Sequence, residues 1–553
     1  MNSNFMEVST SESVFLHFNA LTFVTGEKLF YKIYSINPAD NKFSKISKVA
    51  YVELLDSKRN NVFKHKLFLK NGTSQSDFLI PSTLSTGEYK IIAYTNWMQN
   101  KDASKLYEQE IYIINPFEII PTANLAIENT SSEGSFIQKS ENKKSNAFSN
   151  ITLNKKVYSH RDEVQLNIET TELTEGNYSI SVRKKDILPS PEFLGTENFI
   201  SKLNRSPINS SKNSIILPEF RGEIISGKIE PNSKENQIQN IPLALSIPGN
   251  EFIFKIVRTN KNGEFFFIID QYYENPEFVV QVLGNKRNEY SIFLNLKNKI
   301  DYSKIEIENN LKIDSKLKND LISRSIASQI ENSYFSRKTD SITALKKEYF
   351  YDPYSKEYKL DDYTRFSTLK QTITEVVSEM HYSKNNGKYS FYLKDPIVQS
   401  KFDEPAITLV DGILIPDVSD ILNYNAKDIE KINIISKAYI YGGTVSSGII
   451  SIFTKSGNFS TDDLSGNFYK SKDNLIPERQ KTYFQQTYTN EKKDSRIPDF
   501  RYQLLWLPEL NLSKNQNKIS FFTSDDSGLY EISIEGFTDN GKPISLKESF
   551  IVE

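Results

Sequence analysis

Short runs in which apolar and polar residues alternate recur along the whole chain, separated by glycine- and asparagine-bearing turns. Alternation of this kind marks a strand with one buried face. The first series takes in Phe15, Phe23 and Phe30–Ile33 around the turn Thr25-Gly26-Glu27, then Val49–Leu55, Tyr89–Tyr94 and Glu110–Ile114. Asn71-Gly72 and Thr86-Gly87 punctuate it. A second series resumes at Ile151 and continues through Val164–Ile168 and Tyr178–Val182. A third runs Phe220–Gly227, Pro242–Ile247, Phe252–Val257 and Phe278–Val282. The last holds Arg501–Trp506, Lys518–Thr523 and Tyr530–Glu535. Many short strands at near-regular spacing predict β-sandwiches.

The period changes in the middle. Leu321, Ile322, Ile326, Ala327 and Ile330 predict a short helical face within 314–348, and Phe366, Leu369, Ile373 and Val377 a second one. Between 407 and 455 the strands crowd together. Ile407–Val410 runs directly into Asp411-Gly412, the strongest short-range turn signal. Ile432–Ile435 follows, then the bend Tyr441-Gly442-Gly443, then Ser447–Phe453. Gly412, Gly442 and Gly448 read as turn and packing glycines without chemistry of their own. The fold class expected is mainly β, with one small α+β unit. Residues 128–148 are polar and read as a linker, and 186–216 as an ordered excursion or a mobile loop.

Composition adjusts this picture at a few points. The aromatics are 36 Phe and 30 Tyr against 2 Trp, which strengthens the case for strands. With 68 basic and 70 acidic side chains neither sign dominates, so no nucleic-acid partner is expected. The absence of cysteine excludes disulfides, thiolate metal sites and a cysteine nucleophile. No apolar run is long enough for a transmembrane helix, and the polar start lacks a signal-peptide core. His17, His65, His160 and His381 show no metal-ligand spacing. Asp411, Asp417 and Asp420 lack the full register of a calcium loop. Neither a serine elbow nor a phosphate-binding glycine loop is present. No catalytic residue, metal or cofactor is therefore expected.

Three groups of residues resemble known families. The pattern from Val410-Asp411-Gly412 through Asp428-Ile429 and Tyr441-Gly442 to Gly448 and Thr454-Lys455 resembles the plug domain of TonB-dependent outer-membrane receptors of Bacteroidetes. Leu16-His17-Phe18, Thr25-Gly26-Glu27, Tyr51–Leu54, Thr86–Tyr89 and Ala93–Asn100 resemble the second macroglobulin-type domain of large envelope proteins. Asp499, Arg501 and Leu505-Trp506-Leu507-Pro508 resemble a signature near the end of macroglobulin/plug envelope proteins. The stretch 220–265 is similar to the carboxypeptidase-regulatory-like sandwich, which carries no peptidase activity.

These resemblances imply a division into a macroglobulin-like sandwich at 1–116, a linker at 117–148, a second such sandwich at 149–216 and a carboxypeptidase-regulatory-like sandwich at 217–298. A connecting segment with a helix would follow at 299–359, a plug-like α+β domain at 360–457 and a C-terminal sandwich at 458–553. They also imply an export signal that this sequence does not show. Too few residues follow the plug-like stretch for a large barrel, so a plug fold without a pore is expected. The function implied is a non-catalytic accessory subunit at the outer membrane, exposed to the cell surface or the periplasm. Its partners would be a membrane β-barrel, its assembly machinery or a secretion complex. The alternative is a stand-alone surface protein or adhesin that binds a glycan or peptide. Ile415, Pro416, Tyr439, Ile440 and Tyr441 are the expected partner interface. Tyr94, Trp97, Asp411, Gly412, Gly442, Gly448, Asp499, Arg501 and Trp506 are expected to be structural, the Tyr94/Trp97 pair capping the first sandwich.

Overall fold

The computed structural model describes residues 11–553 apart from 101–105, 120–123, 126–148, 171–174, 186, 204–214, 250, 296–299, 344–349, 352–353, 355, 386–387, 396–401, 403, 463, 489–495 and 513–515. The expected linker at 128–148 lies outside the described residues, as does most of 204–216. The alternating pattern does produce tandem immunoglobulin/macroglobulin-like sandwiches and one small α+β region. The chain divides into two compact units, Met1–Phe220 with Lys299–Thr343 and Glu478–Glu553, and Arg221–Asn298 with Ala344–Pro477.

The first unit holds two sandwiches. In the first, the strands Ser13–Phe18, Lys28–Ile36 and Thr73–Leu79 face a second sheet ordered Thr22–Val24, Tyr107–Ile114, Gly87–Tyr94, Val49–Leu55, Asn61–Phe68. The other sandwich departs from expectation. Gly176–Lys184 lies between Gly528–Thr538 and Gln503–Leu510, and Glu163–Thr170 pairs with Gln516–Phe522. The strands assigned to separate sandwiches at 149–216 and 458–553 therefore share both sheets. Neither half can bury its apolar face alone, and Tyr178, Ile180, Ile532 and Ile534 meet in one core.

A helix, Lys318–Ser333, completes this unit, but its buried face is not the expected one. Leu321 and Ala327 point inward with Arg324, whereas Ile322 is 45% and Ile326 50% exposed. The reason is electrostatic. Arg324 Nε and Nη2 each donate to the Glu27 carboxylate at 2.8 Å, and Arg183 adds a contact at 3.1 Å. Burial pushes Glu27 up, but the two guanidinium groups outweigh it and hold the carboxyl at about 2. A buried carboxylate without its partner is costly, so the helix rotates to supply one.

In the second unit, the strands Glu264–Ile269, Glu223–Pro231 and Tyr290–Leu294 pack on Ile253–Arg258, Pro242–Ile247, Phe278–Val282 and Phe468–Ser471. Beside this sandwich stands a five-stranded mixed sheet in the order Lys356–Lys359, Ile429–Ile435, Ile449–Thr454, Ile407–Val410, Ile413–Leu414. Ile449–Thr454 is central, antiparallel to Ile429–Ile435 and parallel to Ile407–Val410. Its largely apolar sequence, interrupted by Ser451 and closed by Thr454, follows from burial on both faces. Ile450 and Ile452 meet the helix Leu369–Glu375, while Ile449 and Phe453 meet Phe252 and Phe254 of the sandwich. That helix starts where Thr368 and Gln371 form a reciprocal capping box, and it buries Leu369 and Ile373 as the spacing predicts.

Candidate binding surfaces

The Asp411-Gly412 turn fixes the geometry of the mixed sheet. Both residues have positive φ, +47° and +85°, as a two-residue hairpin loop between Val410 and Ile413 requires. The Asp411 carboxylate is buried and accepts from Thr454 N at 2.8 Å, Thr454 Oγ1 at 2.5 Å and Phe459 N at 3.0 Å. Its acceptors are thus spent on tying turn to central strand. A Cβ on Gly412 would lie 2.1 Å from Phe252 Cβ, so only glycine lets turn and sandwich meet. Asp417 and Asp420 accept from Ser419 and Ser465. Among the described residues no three His, Cys, Asp or Glu side chains gather as a metal site would require.

The expected interface residues separate into two groups. Ile415 is buried in the core of the α+β region, with its N–H donating to Thr408 O at 2.9 Å. It follows the paired strand Ile413–Leu414 directly and is not an accessible contact, a correction to the sequence reading. Pro416 is half-buried. Tyr439 and Tyr441 are half-buried as well, and their hydroxyls donate to Phe350 O at 2.6 Å and Phe254 O at 2.9 Å. Burial pushes the Tyr441 phenol up to about 12. These tyrosines anchor the hairpin Tyr439–Tyr441/Thr444–Ser446 on its own unit. The opposite face of the hairpin is different. Ile440 pairs across the strands with Val445, and they are 74% and 63% exposed. Gly442 makes the bend with φ +57°, where a Cβ would lie 2.5 Å from Ile256 O. Gly448 leads into the central strand.

The remaining motif residues lie in the first unit. Tyr94 is buried, stacks on Tyr51 and donates to Glu53 Oε1 at 2.5 Å. Trp97 opens the short helix Trp97–Asn100. Arg501 clasps Asp499 with two bonds of 2.7 Å, and Tyr488 Oη donates to the same carboxylate at 2.6 Å. His17 is buried, with Nδ1 2.7 Å from Ser179 Oγ, while His65 lies 2.7 Å from Tyr31 Oη and the exposed His160 2.8 Å from Ser527 Oγ. His381 stacks on Tyr392.

Sequence reasoning missed a cavity of about 180 Å³ in the first unit. Phe30 forms its floor, stacked on Trp506 with centroids 5.9 Å apart and met edge-on by Tyr483 at 5.0 Å. Phe484, Phe500 and Tyr502 add to its walls, and Glu331 and Asn332 of the helix Lys318–Ser333 close one side. Its members come from five distant stretches of chain, so no local pattern marks it. Only the Asp499/Arg501/Trp506 motif pointed to this neighbourhood, and it did so as structure.

No family model matches the sequence, and no curated protein matches it. Among solved structures, Salmonella alpha-2-macroglobulin reacted with methylamine is 8% identical, with a TM-score of 0.25 over 98% of this chain and 39% of that one. Escherichia coli alpha-2-macroglobulin activated by porcine elastase is 10% identical, with a TM-score of 0.26 over 98% and 44%. Dimeric latent PorU from Porphyromonas gingivalis is 8% identical, with a TM-score of 0.14 over 98% and 34%. The chain spans under half the length of these proteins. Likenesses of this order carry no functional argument. No helix among the described residues is long and apolar enough to cross a membrane.

Proposed function

We propose that the protein is a non-catalytic accessory subunit of the bacterial outer membrane, with a plug-type α+β unit that docks on a membrane β-barrel, its assembly machinery or a secretion complex. The observation that carries this reading is the exposed Ile440/Val445 pair, held out on a hairpin whose other face is anchored by Tyr439 and Tyr441. Two large apolar side chains presented side by side on a firmly seated hairpin suit a protein contact. The pattern from Asp411-Gly412 to Thr454-Lys455 supplies the envelope setting.

The test is the double change Ile440→Asp with Val445→Asp. Both side chains are exposed, so the melting temperature should stay within about 2 °C of the parent. Co-purification of envelope proteins from detergent-solubilised outer membranes should be lost. Unchanged recovery removes the hairpin from the interface and leaves the stand-alone surface binder. Export belongs to the same reading, and cell fractionation that finds the protein only in the cytosol rejects it.

A further inference from the structure

The polar groups around the aromatic cavity of the first unit are already committed to one another. Lys28 Nζ lies 2.9 Å from Asp340 Oδ2, and Asp340 Oδ1 accepts from Phe484 N at 2.9 Å. Glu331 takes Lys338 on one oxygen and Phe500 N, at 2.8 Å, on the other. Asn332 Nδ2 donates to Gly26 O at 2.9 Å. Glu27 is held between Arg324 and Arg183. Gln503 donates to Leu505 O and accepts from Asn19. A guest that depends on ion pairs or many hydroxyl contacts would have to break these bonds first. The capacity left unspent is aromatic surface, ending at Phe484, which is 37% exposed. Among the described lining side chains, the indole N–H of Trp506, 4% exposed, and the hydroxyl of Tyr483 are buried without a hydrogen-bond partner.

We propose that this cavity is a binding site for one aromatic side chain, tyrosine or phenylalanine, of a partner polypeptide. Its size fits one ring, since an enclosed apolar cavity of about 150 Å³ accommodates benzene. Ring–ring contacts with Phe30, Tyr483 and Phe484 supply the attraction. The charged lining groups are engaged in ion pairs within the protein, which leaves the mouth to a neutral peptide group. The site shares no residue with the hairpin at 439–446 and stands whether or not that hairpin docks.

The probe is N-acetyl-tyrosinamide, with N-acetyl-alaninamide as the control, added to the full chain carrying Trp97→Phe. Trp506 is then the sole tryptophan and its emission reports the cavity. A saturable change with a dissociation constant on the order of 1 mM is expected for the tyrosine probe and none for the alanine one. Phe484→Ala, at the exposed rim, should weaken binding about ten-fold with the melting temperature unchanged. Should Trp97→Phe perturb folding, the same titration is read from the cavity's ring-proton signals in the unaltered protein. Equal responses to both amides, or a tyrosine response indifferent to Phe484→Ala, overturn the proposal. A saturable response to methyl glucoside and not to N-acetyl-tyrosinamide overturns it in favour of a glycan.

Discussion

Burial pushes the carboxyl of Glu535 up to about 7, although Thr196 N, Thr196 Oγ1 and Ser545 Oγ donate to it at 2.8, 2.8 and 2.7 Å. Lys547 also favours its charge, and desolvation still wins. A carboxyl raised above its unfolded value contributes stability that is present in full below the unfolded value. That stability is lost as pH rises through about 7. His17 works the other way. Burial, aided by Lys547 and Lys32, lowers it to about 3, so its contribution is complete above the unfolded value and is lost as pH falls toward 3. The two overlap in mildly acidic solution, and a single melting profile mixes them. Glu535→Gln separates them, because Gln keeps an acceptor for Thr196 and cannot ionise. Between pH 5 and 8 the parent should lose on the order of 3 kcal/mol relative to this variant. Parallel chemical-denaturation profiles at each pH measure it, and equal slopes would show that Glu535 titrates normally.

Elements differ in how openly they announce their place. The central strand Ile449–Thr454 is legible, because four of its six residues are large and apolar, as burial on both faces favours, and the Asp411-Gly412 turn fixes its neighbour. Ile449→Asp places a carboxylate between the sheet and Phe252 and should cost at least about 3 kcal/mol. A melt indistinguishable from the parent would refute the strand's central position. The helix Lys318–Ser333 was only half legible. Its existence follows from periodicity, but hydrophobic spacing chooses the wrong face, since a charge at a core position is invisible to it. What turns the helix is Glu27, far away in the sequence and silent in any local window. The buried Lys32 makes the same point from a strand. Its ammonium reaches Asn177 Oδ1, Pro508 O and Glu509 in the other sandwich, and burial lowers it to about 8. The residues expected at an interface were legible as apolar or aromatic, but which of them faced outward was not. Ile415 and Ile440 look alike in sequence, and only sheet register separates the buried one from the exposed one.

For the whole molecule, the sandwich built from 149–184 and 503–552 governs behaviour. Strand signals name strands, and nothing in them names partners, so the joining of these distant segments was not legible. Its consequence is cooperative. A chain cut before residue 499 loses both sheet neighbours of Gly176–Lys184 and one of the two partners of Glu163–Thr170. Limited proteolysis should then cleave rapidly within 149–184 while the mixed sheet of the second unit stays protected. Protection of both regions would contradict the shared core. The same connectivity sets a timetable. More than half of the chain must be synthesised between the two segments. At ordinary elongation rates that interval is on the order of tens of seconds. Throughout it, Glu163–Thr170 and Gly176–Lys184 have unpaired edges and no lid on their apolar faces, open to pairing with any passing strand. Cells that make this protein must hold its early part out of trouble until its late part arrives, so the yield of native protein should depend on chaperone supply more than on its final stability.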